Sequence, residues 1–169
     1  MGHTVWIRAN SLFTFASTSL ALVAIMASIT DYFHVAKPDL LIHVKQIERF
    51  RKQGANDEAQ FLLQFRADMR EVFSWNTKQV LVSIDCEYKS SLNEHNVISI
   101  WDGILQTKEE AIFSFANLRN KYRFIDQGNN LRGAMVNFTV RWEVMPVAGR
   151  LHGDKRTVET LKMPAAYIE

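Results

Sequence analysis

Leu12-Phe-Thr-Phe-Ala-Ser-Thr-Ser-Leu-Ala-Leu-Val-Ala-Ile-Met-Ala-Ser-Ile-Thr30 is a run of nineteen residues without a charge. Arg8 is the nearest charge before it and Asp31 follows it directly. At about 1.5 Å of rise per residue, a helix of this length covers the roughly 30 Å hydrocarbon core of a bilayer. Everything after it is polar, mixed and strand-like. The expected organisation is a short N-terminus over 1–11, a transmembrane signal anchor over 12–30 and one folded domain over 31–169. The bilayer is thus the first partner, through residues 12–30. Arg8 and the α-amine flank the anchor on one side; Asp31 opens the other, and Lys37 and Asp39 cancel. Positive-inside bias then places the N-terminus in the cytosol and the domain across the membrane, a single-pass type II arrangement.

A cleaved signal peptide is the competing reading. Its apolar region is usually about 7–15 residues and its cleavage site needs small residues at −3 and −1. Ala27 has Ile25 two before it and Ala24 has Leu22; Ser28 with Thr30 is the one loose fit. An uncleaved anchor fits better.

The chain has 169 residues, 20 basic and 18 acidic, for a net charge of +2. Such a balance gives no electrostatic footprint for nucleic acid. The residues after Thr30 are enough for one domain that buries its own core. Cys86 is the single cysteine, so the chain forms no internal disulfide and no Cys-ligated zinc site of the usual kind. Nothing points to a cofactor.

Outward from the anchor, residues 31–39 read as a short linker ending near Pro38, and Leu40 to Phe50 as a first strand. A polar loop is expected from Arg51 to Ala59. Phe61, Leu63, Phe65, Ala67 and Met69 then alternate with Gln64, Arg66, Asp68 and Arg70, the period-two signature of a half-buried strand. Val80, Val82, Ile84, Cys86 and Tyr88 repeat it, opposite Ser83, Asp85 and Glu87. Ser90 to Asn96 is a turn cluster. Val97 to Leu105 is β-branched and carries Trp101, and Ile112 to Phe115 is a short candidate strand. Lys121 to Ile125 leads into the turn Asp126-Gln127-Gly128-Asn129-Asn130. Val136, Phe138, Val140, Trp142 and Val144 alternate up to Pro146, and one edge strand is expected near Val158 to Met163. Short strands, frequent turns and no soluble amphipathic helix indicate an all-β antiparallel sandwich behind one transmembrane helix.

Asn137-Phe138-Thr139 is an N-glycosylation sequon. Val136, Phe138 and Val140 claim the core face of their strand, so Asn137 is expected to point outward and, on a translocated domain, to carry glycan. Ser17, Ala21, Ala24 and Ser28, spaced four, three and four, place small residues on one face of the anchor, as a helix–helix contact in lipid requires; small residues are also common in any such helix. Trp75, Asn76, Lys78 and Gln79 precede a strand. They read first as a structural entrance, the Trp75 ring buried and its N–H on a loop carbonyl, and second as a partner contact. Trp101 and Asp102 read the same way.

Catalytic patterns find little support. There is no Gly-x-Ser-x-Gly elbow and no His-Glu-x-x-His. His3, His34, His43, His95 and His152 fall in unlike segments. Asp85 and Glu87 share a strand face and read as a solvated pair rather than an acid–base couple. Gly128 to Gly133 is a turn without the strand-to-helix context of a phosphate loop.

Taken in order, several segments resemble one family: Arg8-Ala9-Asn10-Ser11-Leu12-Phe13, then Phe73-Ser-Trp75-Asn76-Thr-Lys78-Gln79-Val80 with Glu87-Tyr88. Val97-Ile-Ser-Ile-Trp101-Asp102 and Lys121-Tyr122-Arg-Phe124-Ile-Asp126-Gln-Gly128-Asn129 follow, and the sequon strand and Val144-Met-Pro146-Val-Ala148-Gly149 close the set. Together they are similar to subunit 3 of the signal peptidase complex of the endoplasmic reticulum, over residues 4 to 150; the region after Gly149 departs from it. The resemblance implies a single-pass glycoprotein with a lumenal domain and no catalytic residues of its own. It implies assembly with the other subunits, one of which supplies the serine nucleophile that removes signal peptides. From another class, a stand-alone anchored sandwich binding a glycan or peptide would call for exposed aromatics gathered at one loop end. A third reading is a membrane-bound hydrolase with an unrecognised site.

Overall fold

The computed structural model describes residues 4–168. Its first element, α1, is an α-helix over Val5–Tyr32. The stretch Val5–Asp31 is long and apolar enough to cross a membrane, and almost all of it is bare of protein contact. Ser11, Thr14, Thr18 and Ser19 return their hydroxyls to carbonyls three or four residues back, so none presents an unpaired donor along the apolar run.

Eight strands follow: β1 Asp39–Gln53, β2 Asn56–Asp68, β3 Thr77–Tyr88, β4 Asn96–Leu105, β5 Ile112–Arg119, β6 Phe124–Ile125, β7 Met135–Pro146 and β8 His152–Lys162. A 3-10 turn over Arg70–Val72 lies between β2 and β3. One sheet has the order β1-β2-β5, with β6 also paired to β2; the other has the order β4-β3-β7-β8. Every pairing is antiparallel. The two sheets bury one core between them, as the alternation requires. All five apolar positions from Phe61 to Met69 are buried, as are all five from Val80 to Tyr88 and those of β7 from Val136 to Val144. Phe61 sits between Phe124 and Phe138 at ring separations of 5.5 and 5.2 Å, joining the sheets at the centre. Phe65, Trp101 and Phe113 do the same nearer the β4/β5 side.

Four boundaries differ from the sequence expectation. Arg51 to Ala59 is not a loop. β1 and β2 stay paired as far as Gln53 and Asn56, and the chain reverses at Gly54, whose φ of 64° lies in the left-handed region. The polar residues there form a ribbon in which Arg51 pairs with Glu58 at 3.0 Å. β5 extends to Arg119 and β8 begins at His152, six residues early. β8 is an edge strand whose first half is exposed throughout, so no alternation marks it. The supposed linker is also shorter: Asp31 still belongs to the helix and is buried.

Candidate functional site

The point where α1 meets the sandwich is joined by a cluster of polar bonds from three segments. Asp31 lies in the last helical turn and is 7% exposed. A carboxylate there faces the negative end of the helix dipole, and the last turn carries no basic residue to offset it. The sandwich supplies the compensation. Ser74 Oγ donates to Asp31 Oδ1 at 2.8 Å and Asn76 Nδ2 donates to Asp31 Oδ2 at 2.7 Å.

Asn76 is 2% exposed and its amide is fully used. Its Nδ2 also donates to the Ala148 carbonyl at 2.7 Å, and its Oδ1 accepts from the Ala148 N–H at 3.1 Å. The Asn76 carbonyl accepts from the Val147 N–H at 2.7 Å. One asparagine therefore ties the helix end, the β3 entrance and the β7–β8 loop. Only an amide offers two donors and an acceptor at that reach. Ser74 and Thr77 brace it: the Ser74 N–H donates to Thr77 Oγ1 at 3.0 Å, and the Asn76 N–H donates to Ser74 Oγ at 3.2 Å.

Gly149 closes the junction. Its φ is 122°, and a Cβ built there would stand 2.8 Å from Ser28 Oγ and 3.2 Å from Ser28 Cβ. The loop backbone thus lies directly against the helix, one turn before Asp31, where Ala27 is also buried. A second strap follows the helix: His34 Nε2 is 2.7 Å from the Glu71 carbonyl, and Arg156 donates to the Pro38 carbonyl.

The expected site residues fall in four places. Asn76 is buried and structural, while Trp75 beside it is 72% exposed, against the expectation of a buried ring. The indole was expected to serve the strand entrance; Ser74 and Asn76 occupy that position instead and turn Trp75 outward. Lys78 is exposed, and Gln79 Nε2 lies 2.8 Å from Met145 Sδ. Trp101 is half-buried on Phe65, Phe113 and Phe115, and Gly103 leaves room for its ring, since a Cβ there would approach Trp101 Cη2 to 2.8 Å. Asp102 accepts from Lys121 Nζ and from Tyr122 Oη at 2.9 Å, and these bonds hold its carboxyl below the usual carboxylate range. Of the small stripe on α1, Ser17, Ala21 and Ala24 are exposed and Ser28 is covered by Gly149. Asn137 lies on the outer face of the β4-β3-β7-β8 sheet, half-buried, with Oδ1 accepting from Thr160 Oγ1 at 2.8 Å.

Asp85 corrects another expectation. It is 2% exposed rather than solvated, because Arg141 Nε and Ser99 Oγ both donate to its oxygens, Arg141 at 3.0 Å. Glu87, two residues on, pairs with Lys155 at 2.8 Å. Cys86 is fully buried and burial pushes its thiol well above the ordinary range, away from nucleophilic use. His43 Nδ1 is 3.6 Å from Glu159, His152 Nδ1 is 3.4 Å from the Arg150 carbonyl, and His95 is exposed in the β3–β4 loop. His3 lies outside the described residues.

Three further carboxylates were hidden in segments read as loop. Glu58, paired with Arg51, and Asp57 and Asp126 are buried at the opposite end of the sandwich. Asp57 accepts from the Leu131 N–H at 3.2 Å and from Tyr167 Oη at 2.9 Å. Asp126 accepts from Tyr88 Oη at 2.7 Å and from the Asn130 side chain at 2.9 Å. The segments that resembled a family one by one are thus bonded to each other: Asn76 to Ala148, Tyr88 to Asp126, and Asp102 to Lys121 and Tyr122.

These features define a class: a two-sheet β-sandwich hydrogen-bonded to the end of one apolar helix. The comparisons with known proteins give the family. A family model described as "Signal peptidase subunit" matches residues 2–166. The human protein named Signal peptidase complex subunit 3 is 31% identical over 156 residues, covering 88% of this chain and 87% of its own length. The protein of that name from Oryza sativa subsp. japonica is 33% identical over 142 residues, covering 83% and 82%. A mouse protein named Adipocyte-related X-chromosome expressed sequence 1 is 31% identical over 151 residues, covering 85% and 84%. The chain belongs to the signal peptidase subunit family. The family match also runs past Gly149, where the resemblance read from the sequence stopped, and takes in β8 and most of the tail.

Proposed function

We propose that the chain is a non-catalytic accessory subunit of the signal peptidase complex in the endoplasmic reticulum membrane, where it holds the catalytic serine subunit in position. Residues 1–11 are cytosolic in this reading, residues 12–30 span the bilayer, and residues 31–169 form the lumenal domain. Family membership supports the complex. The observation that carries the scaffold role is the Asp31–Ser74–Asn76–Ala148 bonding. A subunit that positions another across a membrane surface needs a fixed relation between its membrane and lumenal parts, and a bonded junction supplies one where a flexible linker would not. A partner that binds only the folded enzyme also stabilises it by mass action.

The sandwich offers one side for such a partner. β1 and β8, which lie together, carry six and five charged residues. β4 and β5, together on the opposite side, carry one each, Asp102 and Arg119. Charged edges discourage strand addition and uncharged ones permit it. Asn137, on an outer sheet face away from that side, is the proposed glycosylation position. Ser17, Ala21 and Ala24 remain the proposed helix contact within the bilayer.

The test is a pull-down of the tagged chain from gently solubilised microsomes, followed by depletion of the chain. Near-stoichiometric recovery of the serine subunit, with loss of signal-peptide cleavage on depletion, is the expected result. Normal cleavage after complete depletion would end the scaffold reading. The stand-alone binding module has less support, because Trp75 and Trp101 lie on different parts of the sandwich and form no shared aromatic site.

A further inference from the structure

The loops around the helix exit carry a feature that the scaffold role does not use. Trp75 is 72% exposed, Val147 71% and Leu151 57%. All three sit in the two short segments that Asn76 ties to Asp31, residues 73–76 and 147–151. These segments contain no acidic residue, while Arg150 lies between Val147 and Leu151 and Lys78 two residues beyond Asn76. Scattered exposed apolar side chains need no explanation, but three on adjoining loops at the exit of an apolar helix share one end of the sandwich.

The level of these loops follows from Gly149. Its backbone packs on Ser28, and Ser28 lies inside the uncharged run that closes at Thr30. A segment that touches the helix there has reached the depth at which the run meets the membrane surface. At about 1.5 Å per residue, the 27 residues of Val5–Asp31 exceed the roughly 30 Å apolar core by about 10 Å, leaving the last turn for the headgroup region. The flanking side chains suit that region. An indole places an apolar body and a polar N–H at one boundary, and Arg and Lys reach back to phosphate.

The geometry points to a lipid-binding surface at the base of the sandwich. Trp75, Val147 and Leu151 seat in the headgroup and upper acyl layer beside α1, and Arg150 and Lys78 engage lipid phosphate. The domain then stands on the bilayer at three points besides its helix. This rests on α1 spanning the membrane, and the test separates the two claims.

Single cysteines are placed in the full chain by Trp75→Cys, Val147→Cys, Leu92→Cys and Ala21→Cys, each labelled with an environment-sensitive fluorophore. Cys86 stays in place, because its buried, poorly ionised thiol does not compete. Each chain is reconstituted into phosphatidylcholine vesicles whose lipids carry a spin-label quencher, either at the headgroup or deep in the acyl chain. Leu92 is 86% exposed in the β3–β4 loop, at the far end of β3, and serves as the water reference. The proposal expects headgroup quenching at positions 75 and 147 several-fold above that at 92, with position 21 quenched by the deep label. If position 21 is deep but 75 and 147 match 92, the lipid seat is wrong and the span stands. If position 21 escapes the deep label, the span itself fails and the seat with it. Blue-shifted emission at 75 and 147 without lipid quenching would mean that a second protein copy covers the patch, which also overturns the proposal.

Discussion

The two ends of the sandwich use the same device for different purposes. At one end Asp57 and Asp126 are buried, and neutral donors satisfy them: two backbone N–H groups, two tyrosine hydroxyls and an asparagine amide. Every donor belongs to the domain, so the bonds close the domain on itself and draw in the C-terminal tail through Tyr167. At the other end Asp31 is buried and satisfied by Ser74 and Asn76. There the acceptor belongs to the helix and the donors to the sandwich. The comparison teaches that a buried carboxylate with all-neutral partners acts here as a fastener, and that its effect depends on which elements it joins. One end sets the stability of the domain, and the other sets the direction of the domain relative to the helix.

The largest effect is expected at the closing end. Asp57→Ala removes the acceptor of the buried Leu131 N–H and of the half-buried Tyr167 hydroxyl, costing about 1–3 kcal/mol for the buried donor left unpaired and less for the other, and the full chain in detergent should lose a large fraction of its thermal stability. Circular dichroism melting reads this directly; an unchanged Tm would remove the closing role. Next is Asn76→Ala, which breaks several bonds at the junction but none within the sheets. We expect a loss of about 2 kcal/mol or less, with the sandwich still folded. The decisive reading is a distance distribution between spin labels at positions 21 and 92, which should broaden markedly for this variant and not for a mildly destabilising core variant such as Val82→Ala. Equal Tm losses at the two ends, with the distance left sharp, would erase the contrast between them.

A smaller effect belongs to Gly149→Ala, which forces a side chain into the left-handed region against Ser28 and costs about 1 kcal/mol of local strain. Pairing it with Ser28→Gly should recover part of the loss only if the contact, not the backbone angle, dominates. The smallest effect at neutral pH is a difference in alkaline behaviour. Burial and its bond to Asp126 push the Tyr88 hydroxyl far above the ordinary tyrosine range, and the bond to Asp57 raises Tyr167 as well. A raised folded value means that the stabilisation is complete below the unfolded tyrosine value of about 10 and is lost as pH rises above it. The closing end should therefore loosen above that pH, while the Ser74–Asn76 junction, which has no titrating donor, should not. Replacing Tyr88 by Phe should flatten the alkaline limb of a stability-against-pH curve; an unaltered limb would locate the titration elsewhere.

The legible part of the fold was its centre. β2, β3 and β7 each have a neighbour on both sides and one face in the core, so their apolar residues recur at every second position and the two-sheet arrangement follows. The edges were harder. β1 contains two bulges, between Val44 and Gln46 and between Ile47 and Arg49, which break the period, and the exposed half of β8 has no face to mark. The site was legible as a location, Phe73 to Val80, but its residues were assigned the wrong way round. Trp75 attracted the structural role by size, and Asn76 holds it. No local pattern reveals that Asn76 meets Asp31 and Ala148, 45 and 72 residues away. Asp31, Asp57 and Asp85 read as surface acids for the same reason, since a buried carboxylate is recognised by its donors and those come from distant segments. Family resemblance carried the functional inference where the residue pattern alone reached only an anchored sandwich.

The junction at Asp31 has a further consequence for the helix above it. Because the end of α1 is bolted, every residue upstream has a fixed compass bearing relative to the sheet edges. Ser17, Ala21 and Ala24 face one azimuth around the helix axis, and the sparsely charged β4/β5 side faces another. A single residue inserted between Ala24 and Ala27 would swing the upstream face by about 100° and lift it about 1.5 Å while the sandwich stays where it is. A companion that grips both parts must therefore match them in phase, like two gears keyed to one shaft.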